Sequence, residues 1–112
     1  MSNPEIITRH DLIRLIGDVL TEIDVLSSHF DPGTKDRDAF DEQRDKLDTA
    51  QRRLVHSTIN ENTKELKDIS ASLKAVNETL SRTSSDIDKI ATTFESLVNL
   101  VNVIQKIVEL VP

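Results

Sequence analysis

Apolar residues recur at alternating three- and four-residue steps from Ile59 to the end of the chain. The successive slots hold Ile59, Asn62, Leu66, Ile69, Leu73, Val76, Leu80, Thr83, Ile87, Ile90, Phe94, Leu97, Val101, Ile104, Val108 and Val111, and only Asn62 and Thr83 are polar. This rhythm keeps one face of an α-helix apolar along its whole length. A strand has no use for it, because its side chains alternate with period two. A stripe of this length has to be covered by further helices packed knobs into holes. The sequence therefore specifies an all-α protein.

The first half supplies candidate covers. Thr8 is a helix cap with Asp11 three residues on as a capping-box acid, and Ile7 and Leu12 stand where a hydrophobic staple belongs. Asn3 with Pro4 at the first helical position is a competing, weaker start. From there Leu12, Ile13, Ile16, Val19, Leu20, Ile23, Leu26 and Phe30 make a broad apolar face, with Gly17 beside it marking a close helix contact. Asp31-Pro32-Gly33 is the strong turn signal, since proline presets φ and glycine supplies a left-handed residue. Thr34 caps a second helix whose apolar residues, Phe40, Leu47 and Leu54, form one narrow stripe. Six basic and six acidic residues between Lys35 and Arg53 make the rest of it a solvated face. Glu42–Lys46 and Asp48–Arg52 are favourable four-residue pairs there, and Asp41–Asp45 is a repulsive one.

Two soft points interrupt the second half. Near His56 the stripe of helix 2 falls out of phase with the seam, and Ser57 or Thr58 offers a cap. Ser81-Arg82-Thr83-Ser84-Ser85-Asp86 is a run of weak helix formers through which the seam passes without a phase shift. Neither contains glycine or proline. The favoured reading is an antiparallel hairpin, about 8–30 and 34–56, followed by one long heptad-patterned helix, about 57–111, in an elongated coiled-coil-like arrangement. The alternative breaks both soft points and gives a compact up-down four-helix bundle. Either way the chain reads as one domain, 1–112, divided into helix 1 with its turn (1–33), polar helix 2 (34–56) and the heptad region (57–112). The sixteen slots are similar in number to the layers of a SNARE helix. Thr83 stands where that family carries Gln or Arg, so the resemblance carries over no residue.

The seam also predicts how partners are held. The interface residues expected from it are Leu66, Ile69, Leu73, Val76, Leu80, Ile87, Ile90, Phe94, Leu97, Val101, Ile104 and Val108. The flanking Ser70, Ser72, Asn77, Thr79, Ser84, Ala91 and Thr93 are mostly small and uncharged, which favours close approach of three or four helices, from one chain or several. Beyond Phe94 the apolar face widens through Leu97, Val98, Leu100, Val103 and Ile107, more than one helix neighbour can cover.

The composition and spacing point away from chemistry. Net charge is −6, with −4 in residues 1–56 and −2 in 57–112, so phosphate binding lacks its driving force and nucleic acid is not an expected partner. There is no Trp or Tyr for base stacking. Cysteine is missing, which removes disulfides and thiol chemistry and fits a cytoplasmic protein. No secretory signal and no apolar run of membrane-spanning length is expected. His10, His29 and His56 have no second ligand at helical spacing, and Lys35 spoils the superficially calcium-loop-like stretch from Asp31 to Glu42. No catalytic residue, metal ligand or cofactor is predicted. The sequence reads as a non-enzymatic module for helical oligomerisation or protein–protein interaction, its partner a homo-oligomer or another helical protein. The alternative is a membrane-active protein, pore-forming or membrane-disrupting, that uses the apolar C-terminal helix.

Overall fold

The computed structural model describes residues 8–56, 64–83 and 87–109. Among these are four α-helices and one short 3-10 turn: α1 (Arg9–Ser27), α2 (Lys35–Val55), α3 (Lys64–Thr83) and α4 (Ile90–Glu109), with the 3-10 turn Ile87–Lys89 leading into α4. Each boundary has a local cause. Thr8 caps α1 as the sequence predicts: its hydroxyl accepts from the Asp11 amide at 3.1 Å, and its own amide donates to the Asp11 carboxylate at 3.0 Å. Thr34 caps α2, accepting from the Arg37 amide. Between them Gly33 takes φ +88°, the left-handed conformation that the Pro-Gly turn requires. Helix α1 ends at Ser27, short of Phe30. There the amides of His29 and Phe30 close onto Leu26 and Ser27, and the Arg37 guanidinium donates to the carbonyls of Ser27 and Phe30. Orphan carbonyls at a helix end need such partners.

The heptad region is two helices, not one rod. Helix α3 stops at Thr83 and α4 begins at Ile90, so the compact bundle, the second of the two architectures open to the sequence, is the one formed. Weak helix formers at the junction lose only a few tenths of a kcal/mol each on leaving the helix. A bare Leu or Ile on a rod would forgo about 1.5–3 kcal/mol of burial. Burial wins. At the other expected break, near 56–58, α2 ends at Val55 with His56 as its cap, and Ser57 and Thr58 lie outside the described residues.

Around the bundle the order is α1, α2, α4, α3: α1 touches α2 and α3, and α4 touches α2 and α3, leaving α1–α4 and α2–α3 as diagonals. Helices α1 and α2 run antiparallel, with Asp24 bonded to Arg44 and Ile13 to Gln51. Helices α3 and α4 are antiparallel too, since Thr83 meets Thr93. Helices α2 and α4 are parallel, for Phe40 packs on Phe94 near their starts while Arg53 and Val108 share a cleft near their ends. Two hairpins are thus stacked in layers around one core. Leu12, Ile16 and Ile23 of α1, Leu47 and Leu54 of α2, Leu73 and Leu80 of α3, and Leu97 and Ile104 of α4 are all essentially buried in it.

Polar side chains serve the joints. Gln51 crosses from α2 to donate to the Ile13 carbonyl at 3.0 Å, and a Cβ on Gly17 would stand 3.4 Å from that amide nitrogen. That is ordinary contact with the end of a flexible side chain, so the glycine sits beside α2 without a close backbone approach requiring it. The Glu42–Lys46 and Asp48–Arg52 pairs form at 3.4 and 3.1 Å, and Asp41 is drawn to Arg37 at 3.5 Å. Such exposed pairs contribute little to stability.

Gln43 is different. It occupies a core slot of α2 at 5% exposure, and its Oε1 has no hydrogen-bond partner among the described residues. Replacing a buried unpaired amide with an apolar group of similar size removes a desolvation cost of about 1–3 kcal/mol. Gln43→Leu is expected to raise the urea midpoint with an unchanged slope. A lower midpoint would show that the amide is satisfied. Asp11 gives a pH-linked prediction. The Thr8 backbone amide, then its hydroxyl, hold the Asp11 carboxyl below its ordinary value of 3.8. A depressed carboxylate stabilises the fold above its unfolded pKa, and that contribution is lost as pH falls through the folded value. Asp11→Asn is therefore expected to melt earlier than wild type at neutral pH, with the gap closing in acid. A gap independent of pH would assign the effect to something other than the charge.

Candidate functional site: the outer groove of α3 and α4

The predicted interface residues are gathered into the chain's own core. Leu66, Ile69, Leu73, Val76, Leu80, Leu97, Val101, Ile104 and Val108 are each at most 8% exposed. Ile90 and Phe94 are partly buried against the same cluster. The side chain of Ile87 lies outside what the structure describes. A seam expected to meet other helices does so within one chain, against α1 and α2.

What remains open lies on the opposite side of α3 and α4. One or two residues before the seam, a second stripe runs along each helix: Asp68, Ser72 and Ala75 on α3, and Ser96, Asn99 and Val103 on α4. Side chains this short cannot bridge two helices whose large residues point inward. A trough of about 370 Å³ is left between them, floored by Ile69, Val76 and Leu100. Ser72, Ala75, Asn99 and Val103 are exposed, and Val103, at 48%, is one of the large apolar side chains most open to solvent. Asp68 is the one charge in the lining, and Lys64 bonds to it at 3.1 Å, one turn back on α3. The sequence carried this stripe as small flanking residues and as widening of the apolar face beyond Phe94. It did not say that those two features lie side by side. A second cleft, between α2 and α4, is lined by Lys46, Arg53 and Gln105 but encloses only about 40 Å³, little more than one water.

At the junction end the hairpin closes on a polar pair. Thr83 and Thr93, each about 1% exposed, have their hydroxyl oxygens 2.5 Å apart. Thr83 also bonds to the Thr79 carbonyl at 2.8 Å. A hydroxyl has one proton. If Thr83 spends its own on Thr79, Thr93 must be the donor between the two. Nearby, Phe40 stacks on Phe30 at 6.2 Å and meets Phe94 edge-on at 5.1 Å, tying the α1–α2 turn to the start of α4.

Among the described residues no three His, Cys, Asp or Glu side chains converge as a metal site, and His10, His29 and His56 are exposed. No helix among them is long and apolar enough to cross a membrane. In comparison with known proteins, no family model, no curated protein and no solved structure matches the chain.

The threonine pair generates a cycle. Thr83→Val leaves the buried Thr93 hydroxyl without an acceptor and is expected to cost about 1–3 kcal/mol. Thr83→Val with Thr93→Val removes both groups and should recover most of that loss. Additive losses in denaturant titrations would show that the two hydroxyls are not coupled.

Proposed function

We propose that the protein is a non-enzymatic helical interaction module that associates with a second copy of itself through the outer groove of α3 and α4. The single observation behind this reading is the groove itself: a trough with an apolar floor and walls that are mostly small and, Asp68 apart, uncharged, lying against water. Association of helices needs close approach, and Ser72, Ala75, Ser96 and Asn99 permit it. Within the chain, the inner face of the same hairpin already stacks on a second helical hairpin.

The charge pattern favours a second copy over an unlike partner. A two-fold interface brings one patch against itself, so the patch has to tolerate its own image. Laid antiparallel, the uncharged centres of the two grooves meet, and the two Asp68–Lys64 pairs stand at opposite ends. The absence of cysteine fits a cytoplasmic setting.

Ala75 is exposed in the groove, so Ala75→Arg is expected to fold normally while filling the trough with a long charged side chain that blocks close approach of a second copy. Sedimentation equilibrium should show a dimer for wild type whose share grows with concentration, and a monomer for Ala75→Arg. Wild type that stays monomeric into the millimolar range, or a variant that dimerises equally well, would overturn the proposal.

A further inference from the structure

We infer that the α3–α4 hairpin is exchangeable: it can open into one long helix whose α4 half fills the α4 position of a second copy, giving a symmetric, elongated dimer. This goes beyond groove association, which leaves each chain closed.

The turns within the two hairpins are built differently. That between α1 and α2 is fixed by Asp31-Pro32-Gly33, by the positive φ of Gly33 and by Arg37, which bonds the carbonyls of Ser27 and Phe30. Straightening it would strand those groups. Between α3 and α4 there is no such lock in the sequence, which holds neither glycine nor proline anywhere from Thr34 to Val111. Moreover the seam keeps its phase across the junction. Leu80 and Thr83 are followed by Ile87, Ile90 and Phe94 at unbroken three-and-four spacing. Two separate helices that fold back on each other have no need of a common phase, whereas a continuous helix has one by construction.

The contacts carry over to the opened form. In the closed chain α3 and α4 pair antiparallel, with Thr83 on Thr93 at the junction end and Ile69 and Val103 sharing the groove further along. Two opened chains laid antiparallel about a two-fold axis at the junction reproduce each of these pairs between chains. Helix α4 of each then lies beside α2 and α3 of the other, so the core is rebuilt unchanged. Because only the junction differs, the two forms are close in stability per chain, and exchange is governed by chain concentration during folding. The long helix, residues 64 to 109, would extend roughly 70 Å at 1.5 Å per residue.

The chain has no cysteine, so an engineered pair reports unambiguously. Thr83→Cys with Thr93→Cys replaces two hydroxyls already near the separation that a disulfide requires. Placed in the Ala75→Arg background, it tests exchange with groove association suppressed. The protein is unfolded, refolded at low or high chain concentration, oxidised, and run on a denaturing gel without reductant. Exchange predicts intrachain disulfides after dilute refolding. After concentrated refolding it predicts a covalent dimer, linked 83-to-93 between chains by peptide mapping, in a ratio to monomer that grows in proportion to concentration. Monomer under both conditions, or a dimer that separates on the gel, overturns exchange and leaves the groove reading standing. Should the cysteine pair fail to fold, small-angle scattering of refolded Ala75→Arg decides. A dimer with a maximum dimension beyond that of two closed bundles side by side supports exchange, and its absence overturns it. Two glycines inserted between Ser84 and Ser85 break the common phase and are expected to abolish the exchanged dimer.

Discussion

The fold depends on one stripe of apolar side chains being shielded on both halves of a hairpin at once. Leu66, Leu73 and Leu80 on α3 and Leu97, Val101 and Ile104 on α4 are each at most 2% exposed, and they share a cluster with Leu12, Ile16, Ile23, Leu47 and Leu54 of the first hairpin. At about 1.5–3 kcal/mol for each buried aliphatic side chain, this cluster outweighs anything the polar surface can contribute. It also dictates the connectivity. Helix α1 must cover α3 and α2 must cover α4, which puts α2 and α3 on a diagonal although they follow each other in the chain.

Because burial decides the fold, polar groups are confined to places where helices meet or end. Arg37 closes the end of α1, Gln51 reaches across the space left by Gly17, and Thr83 and Thr93 satisfy one another where the second hairpin turns. Each is a hydrogen bond between elements, so each fixes a relative position that apolar packing alone leaves soft. Gln43 and Ser70 do not fit the pattern. Nothing in the packing explains why the Gln43 Oε1 and the Ser70 hydroxyl sit buried without a partner among the described residues.

The same constraint shapes what the surface offers to others. Turning the seam of α3 and α4 inward leaves mostly short side chains along the outer line where the two helices meet, and the groove is the geometric remainder. A binding surface and a core therefore come from one repeating pattern, read from its two sides. The proposed self-association uses the remainder, while the proposed exchange uses the seam itself by transferring it to a second chain. The first draws on the uncharged centre of the groove and the second on the apolar seam, in contrast to α2, whose charged residues leave only a narrow apolar stripe.

The order of residues by itself settled the helical class, the cap at Thr8, the turn at Asp31-Pro32-Gly33, the ion pairs of α2, and nearly every residue of the core, because all of these follow from neighbours three or four positions apart. It could not settle whether the seam turns back at Thr83, since the local preferences of Ser84 and Ser85 are weak and the phase is the same either way. Nor could it show that Ser72 and Ala75 lie across from Ser96 and Val103, about 25 positions later in the chain. Those outcomes belong to the tertiary structure. Only when α1 and α2 supply a surface to bury against does folding back cost less than a bare stripe, and only then does a groove exist.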